Sequence, residues 1–215
     1  MPEELPANYL SQQGFLPFQE TSNVSPPYFA SLSFNGMPIG SPGTPQVSEL
    51  FFDTAFAFLP EGVQIQKLSD ASGREVWNYP VGTEVAHDIH FNDVGRSLFE
   101  LRVLRKISIT EWDFASYAPS SPGDPHSPLI RNHYTGVAPF STTLQLSNGS
   151  NPRIDLKRIN LGFCKNCHMA TSPAAYQYPS LNEAGPCGFG PKNELGIQTW
   201  IQNYEAKFGH SPFSN

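Results

Sequence analysis

Apolar and polar residues alternate along several stretches of the chain, as they do in β-strands with one buried face. In the clearest stretch, every second residue is apolar or a histidine: Val85, His87, Ile89 and Phe91. Turn sequences rich in Pro, Gly, Asn and Asp separate such stretches. We therefore predict that residues 50–160 form an antiparallel sheet whose strands largely follow one another along the chain.

The C-terminal end of the chain has a different period. Apolar residues recur there at helical intervals, at Ile197, Trp200, Ile201, Tyr204 and Phe208. Gly209 follows them, as glycine often does at the end of a helix. We predict a mainly β (α+β) fold with a terminal amphipathic helix and a second, short helix around residues 164–168.

The first residues lack either period. Residues 1–48 are rich in Pro, Gly, Ser and Asn, so we expect an irregular N-terminal arm. Residues 49–215 are expected to form a single β-rich domain. Within it, residues 118–140 contain five prolines and are predicted to be a long loop inserted between strands.

Charge and hydropathy exclude two classes of partner. The net charge is −6, and no run of Lys or Arg exceeds two residues, so a nucleic-acid-binding surface is not expected. No apolar run approaches the ~20 residues that a membrane-spanning helix needs.

The strongest chemical signal is the segment Cys164-Lys-Asn-Cys-His168. Two thiols at this spacing lie on one side of a helical turn and can form thioethers with the two vinyl groups of a haem. The histidine that follows can then ligate the iron from one face. We predict one covalent haem c, attached through Cys164 and Cys167 and ligated by His168, on a haem-binding helix.

Zinc, a thioredoxin-like redox pair or an ordinary disulfide would use the same two cysteines. A zinc site needs more ligands, and only Cys187 remains among the cysteines. A thioredoxin-like pair belongs to a βαβ unit, whereas this pair follows a predicted all-β region. Cys187 itself is either a small buried residue or an exposed thiol that could link two chains, so oligomerisation stays open.

Covalent haem attachment in bacteria takes place outside the cytoplasm, whereas the acidic start of the chain lacks the features of a secretory signal. We infer that a signal peptide has been removed and expect a periplasmic or extracellular protein. The second iron ligand is not a methionine in this interpretation. Met169 adjoins His168 and cannot reach the opposite face of the same haem, and the other methionines are Met1 and Met37.

The order of these features resembles that of cytochrome P-460 and the β-sheet cytochromes c-prime, in which the attachment motif also lies close to the C-terminus. The residues that carry the resemblance are 77–87 (WNYPVGTEVAH), 99–105 (FELRVLR), 111–114 (EWDF) and 164–168 (CKNCH). Residues 10–15 (LSQQGF) also resemble the start of haem domains in larger secreted bacterial proteins. Cytochrome P-460 cross-links a strand lysine to its haem and oxidises hydroxylamine, but the position where that lysine is expected carries His87.

His87 is therefore the candidate second iron ligand, although a lone histidine on an apolar strand face is more often a hydrogen-bonded core residue. His133, in the long loop, is the second choice. With His87 bound, the protein would be an electron-transfer cytochrome with redox protein partners rather than an enzyme. The alternative is a five-coordinate haem protein that binds nitric oxide or oxidises a small nitrogen compound such as hydroxylamine.

Overall fold

The computed structural model describes residues 1–18, 29–38, 41–69, 73, 75–109, 111–133, 138–158 and 194–214. In these residues the strands are β1 (Glu4–Leu5), β2 (Leu16–Pro17), β3 (Phe29–Phe34), β4 (Met37–Pro38), β5 (Phe51–Phe58), β6 (Gln66–Ser69), β7 (Glu75–Asn78), β8 (Glu84–Phe91), β9 (Leu98–Lys106), β10 (Trp112–Pro119), β11 (Leu129–Arg131), β12 (Ala138–Thr143) and β13 (Arg153–Arg158). The helices are α1 (Tyr9–Gln13), α2 (Val47–Leu50) and α3 (Glu194–Phe208).

The dominant element is a seven-stranded sheet in the order β1-β11-β10-β9-β8-β5-β2. All of its strand pairs are antiparallel. Strands β8 to β11 follow one another along the chain, while β5 reaches β8 across the separate β6–β7 hairpin. The predictions of a mainly β fold, a large antiparallel sheet and a C-terminal helix are confirmed.

A second sheet has the order β12-β13-β3-β4. It includes strands from the segment for which an irregular arm was expected, and that segment also supplies β1 and β2 at the two edges of the large sheet. Strands β1, β2 and β4 have only two residues each, too few to produce a visible alternation. Their strand character therefore comes from pairing with distant residues and not from a local pattern.

The large sheet is buried on both faces, whereas alternation predicted one buried face. One face, here called the helix face, carries Val85 and packs against α3, whose Trp200 indole donates to the Ala57 carbonyl at 3.2 Å. The other, here called the arm face, carries Ala86 and is covered by residues 1–15. Polar residues on β8 that would otherwise face solvent therefore have protein on both sides.

The N-terminal segment is held on the arm face by a buried polar contact. The Tyr9 hydroxyl donates to the Glu84 carboxylate at 2.6 Å, and Arg105 donates to the other oxygen of the same carboxylate at 2.6 Å. Burial and the adjacent carboxylate raise the pKa of Tyr9, so its hydroxyl remains a donor. In the part of the chain that the structure describes, no helix combines the length and apolarity needed to cross a membrane.

Candidate functional site

His87 lies on the helix face of β8, as the alternation predicted, and its residue is only 4% exposed. Its strand neighbours on that face are Val85 and Ile89, both buried. Across the sheet it is paired with Ala55 of β5 and with Arg102 of β9. The imidazole therefore lies in a largely apolar surface that has one cationic neighbour.

A buried carboxylate orients this imidazole. His87 Nδ1 lies 3.2 Å from Asp53 Oδ2, and Asp53 is fully buried on the adjacent strand. A carboxylate accepts but does not donate, so this contact favours a proton on Nδ1 and a lone pair on Nε2. Histidines that bind metals are commonly held in this way, because the carboxylate fixes the tautomer and makes the ligating nitrogen more basic.

A chain of buried polar groups begins beside His87. Arg102 Nη2 donates to Glu100 at 2.7 Å, and Ser116 Oγ donates to the other oxygen of that carboxylate. Asn132 Nδ2 in turn donates to Ser116 Oγ at 2.7 Å. Glu100 is only 3% exposed, and Arg102 is paired directly with His87. The charges of Glu100 and Arg102 are unusual in a strand that is buried on both faces, and they were the one feature of the sequence that could have indicated a functional role.

An aromatic cluster lies beyond Ile89 at one end of β8. The rings of Phe51 and Phe91 have centroids 5.0 Å apart, and Phe91 is 5.2 Å from Phe99. All three side chains are buried. The site thus has an apolar side as well as a charged one.

Two buried donors lie toward the other end of β9. Lys106 is paired with Trp112 of β10, and its Nζ lies 5.7 Å from the centre of that indole ring. The side-chain nitrogens of both residues are buried and have no hydrogen-bond partner among the described residues. Burial lowers the pKa of Lys106 to about 8. The local sequence pattern does not mark either residue as a binding group.

The other histidines are placed elsewhere. His90 points to the arm face, where its Nε2 lies 3.0 Å from Asp88 and its Nδ1 lies 2.6 Å from the Arg96 carbonyl. Burial opposes protonation, but these two acceptors outweigh it and raise the pKa of His90. His133, the second-choice ligand, is exposed and paired with the Glu3 carboxylate near the edge formed by β1 and β11.

The prediction of one long loop over residues 118–140 is wrong in part, because that range includes the end of β10, all of β11 and the start of β12. The proline-rich loop runs between β10 and β11 and lies on the arm face. Together with α1 it encloses a cavity of about 450 Å³, whose lining includes Tyr9, His90 and Asp124. The part of the loop that lines this cavity is thus separated from His87 by the sheet.

Cys164, Cys167 and His168 lie outside the described residues, as do Cys187 and the short helix predicted around the motif. The described residues can still be compared with what a haem iron requires of a ligand. A buried imidazole that is oriented by a carboxylate on Nδ1 and has apolar neighbours would suit a ligand to such an iron. No protein-family model, curated protein or solved structure matches this chain.

Proposed function

We propose that this chain is a c-type cytochrome with one covalent haem, attached through Cys164 and Cys167 and ligated by His168 and His87. It would transfer electrons between redox proteins in the periplasm or outside the cell. The observation that carries the proposal is the Cys-x-x-Cys-His spacing in a chain with only one further cysteine. The resemblance to cytochrome P-460 and the β-sheet cytochromes c-prime belongs to the same proposal.

The Asp53–His87 pair supports the six-coordinate form. An imidazole already oriented by a buried carboxylate loses little freedom when it binds iron, and its strand position restricts its movement. Two imidazole ligands leave no vacant iron position and change little between ferric and ferrous states, which suits electron transfer. In this proposal the motif lies on a haem-binding helix, and the terminal helix is amphipathic.

The charged residues near His87 favour a second candidate. If the iron is five-coordinate, His87 becomes a residue of the distal pocket that can donate or accept a proton at Nε2. Arg102, paired with His87 across the sheet, would stabilise negative charge that develops on a ligand. Such a site would suit nitric oxide binding or oxidation of a small nitrogen compound such as hydroxylamine.

The first experiment tests haem attachment. The chain is expressed with haem-attachment machinery, and its intact mass is measured after denaturation. We expect the mass of the polypeptide plus one haem, and loss of that haem in a Cys164→Ser/Cys167→Ser variant. A wild-type mass equal to the bare polypeptide contradicts the whole proposal.

The second experiment separates the two candidates. Optical spectra of oxidised and reduced protein are recorded with and without carbon monoxide for the wild type, His87→Ala and the control His90→Ala. We expect a low-spin wild type that binds carbon monoxide slowly, and a His87→Ala variant that becomes high-spin and binds it rapidly. His90 occupies the same strand but the opposite face, so its variant should resemble the wild type. A wild type that is already high-spin favours the five-coordinate candidate.

A further inference from the structure

The side-chain nitrogens of Lys106 and Trp112 are buried, and ligation of iron by His87 and His168 does not explain why. The two residues are direct cross-strand partners on the helix face, 1% and 4% exposed. Their side chains together offer an ammonium group and an indole N–H. Neither nitrogen has a hydrogen-bond partner among the described residues.

Their surroundings are costly for a charge. Tyr79 packs edge-on against Trp112 at 5.7 Å between ring centroids, and both belong to the apolar cluster beneath α3. An unpaired ammonium in such a place is strongly disfavoured, and an unbonded indole N–H adds a smaller cost. The lowered pKa of Lys106 reflects this burial. An anionic acceptor would satisfy both donors and offset the cost of burying the charge of the lysine.

We propose that Lys106 and Trp112 together bind a carboxylate, and that this carboxylate is a propionate of the haem. The inference rests on the proposed function. Burial favours this source, because a free anion would have to leave water to reach these atoms, whereas a covalently attached cofactor is enclosed as the chain folds. Lys106 lies four residues along β9 from Arg102, the partner of His87, a separation of roughly 13 Å on one face of the sheet. That span can be bridged by the distance from the iron to a propionate together with the length of the lysine side chain.

The test uses the haem-loaded protein and two readouts other than activity. The midpoint potential is measured by spectroelectrochemistry, and the propionate bending band is recorded by resonance Raman spectroscopy. The variants are Lys106→Met, which removes the charge at similar volume, Lys106→Arg, which keeps it, and Trp112→Phe, which removes only the indole donor. Lys67→Met is the matched control, because Lys67 also lies over an aromatic ring, that of Phe213, but is exposed.

Loss of one positive charge near the iron favours the ferric state. For Lys106→Met we expect the ferrous-to-ferric ratio at a fixed potential to fall about tenfold, or about 59 mV for one electron. The propionate band should shift in Lys106→Met and Trp112→Phe. Lys106→Arg should keep the wild-type potential, and Lys67→Met should leave both readouts unchanged.

The experiment distinguishes failure of the propionate contact from failure of the proposed haem attachment. Haem-loaded Lys106→Met with an unchanged potential and propionate band overturns the inference, because Lys106 then has no contact with the haem, while the proposed function stands. If Lys106→Met does not fold, an unchanged propionate band in Trp112→Phe overturns it. A wild-type chain that carries no haem overturns the inference and the proposed function together.

Discussion

The Asp53–His87 contact allows a quantitative test of iron ligation. Asp53→Asn keeps the size of the side chain and removes its charge, so His87 exchanges an anionic acceptor, which favours a lone pair on Nε2, for a neutral amide that can accept or donate. Loss of such a carboxylate partner typically lowers metal affinity by 10–100-fold. We expect the His87–iron bond to weaken by that factor while the haem stays attached through its thioethers.

The magnitude agrees with the geometry. A 10–100-fold loss corresponds to about 1.4–2.7 kcal/mol, which overlaps the ~1.5–3 kcal/mol range of hydrogen bonds to charged groups. The complete burial of Asp53 favours a contact of this strength, whereas the 3.2 Å separation is long for a charged hydrogen bond and favours the lower end of the range. An external ligand can bind only when His87 has left the iron, so its apparent affinity should rise by the same 10–100-fold.

The assay is a carbon monoxide titration of the ferrous protein. His87→Ala marks the limit in which no internal ligand competes, and Asp53→Asn should fall between it and the wild type. Asp88→Asn is the matched control, since Asp88 pairs with His90 at 3.0 Å in the same strand but on the arm face. Equal carbon monoxide affinity in the wild type and Asp53→Asn, or an equal gain in Asp88→Asn, would refute the reasoning.

Two further predictions concern stability. Tyr9→Phe should lower the free energy of unfolding by about 1.5–3 kcal/mol, because it removes a hydrogen bond to the buried Glu84 carboxylate. Tyr117→Phe, which loses a hydrogen bond to a neutral carbonyl, should lower it by about 1 kcal/mol. Chemical denaturation of both variants measures the two losses, and a larger loss in Tyr117→Phe would contradict this prediction. The pKa of His90 is raised in the folded state by Asp88, so the folded state binds the proton more tightly. That contribution should be complete below pH ~6.5 and disappear as the pH rises through the folded pKa, and a pH series of unfolding curves should show this fall in the wild type but not in His90→Gln.

Local patterns in the sequence determined much of the secondary structure. A period of two is a direct consequence of strand geometry, and it was sufficient to place His87 with Val85 and Ile89 on one face. The helical spacing of Ile197, Trp200 and Tyr204 predicted α3 for the same kind of reason. The proposed haem motif is also a local pattern, because its evidence is the spacing of two cysteines and a histidine within five residues.

Tertiary structure alone decided what surrounds those residues. Asp53 precedes His87 by 34 positions, and only the pairing of β5 with β8 brings them into contact. Burial of the arm face depends on residues 1–15, and their two-residue strand β1 carries no period of its own. The local sequence indicates only that Lys106 ends a strand and that Trp112 is an aromatic residue of the core. Their buried donors become visible only when β9 and β10 pair and α3 covers the helix face, because burial is a property of the assembled layers and not of any single strand.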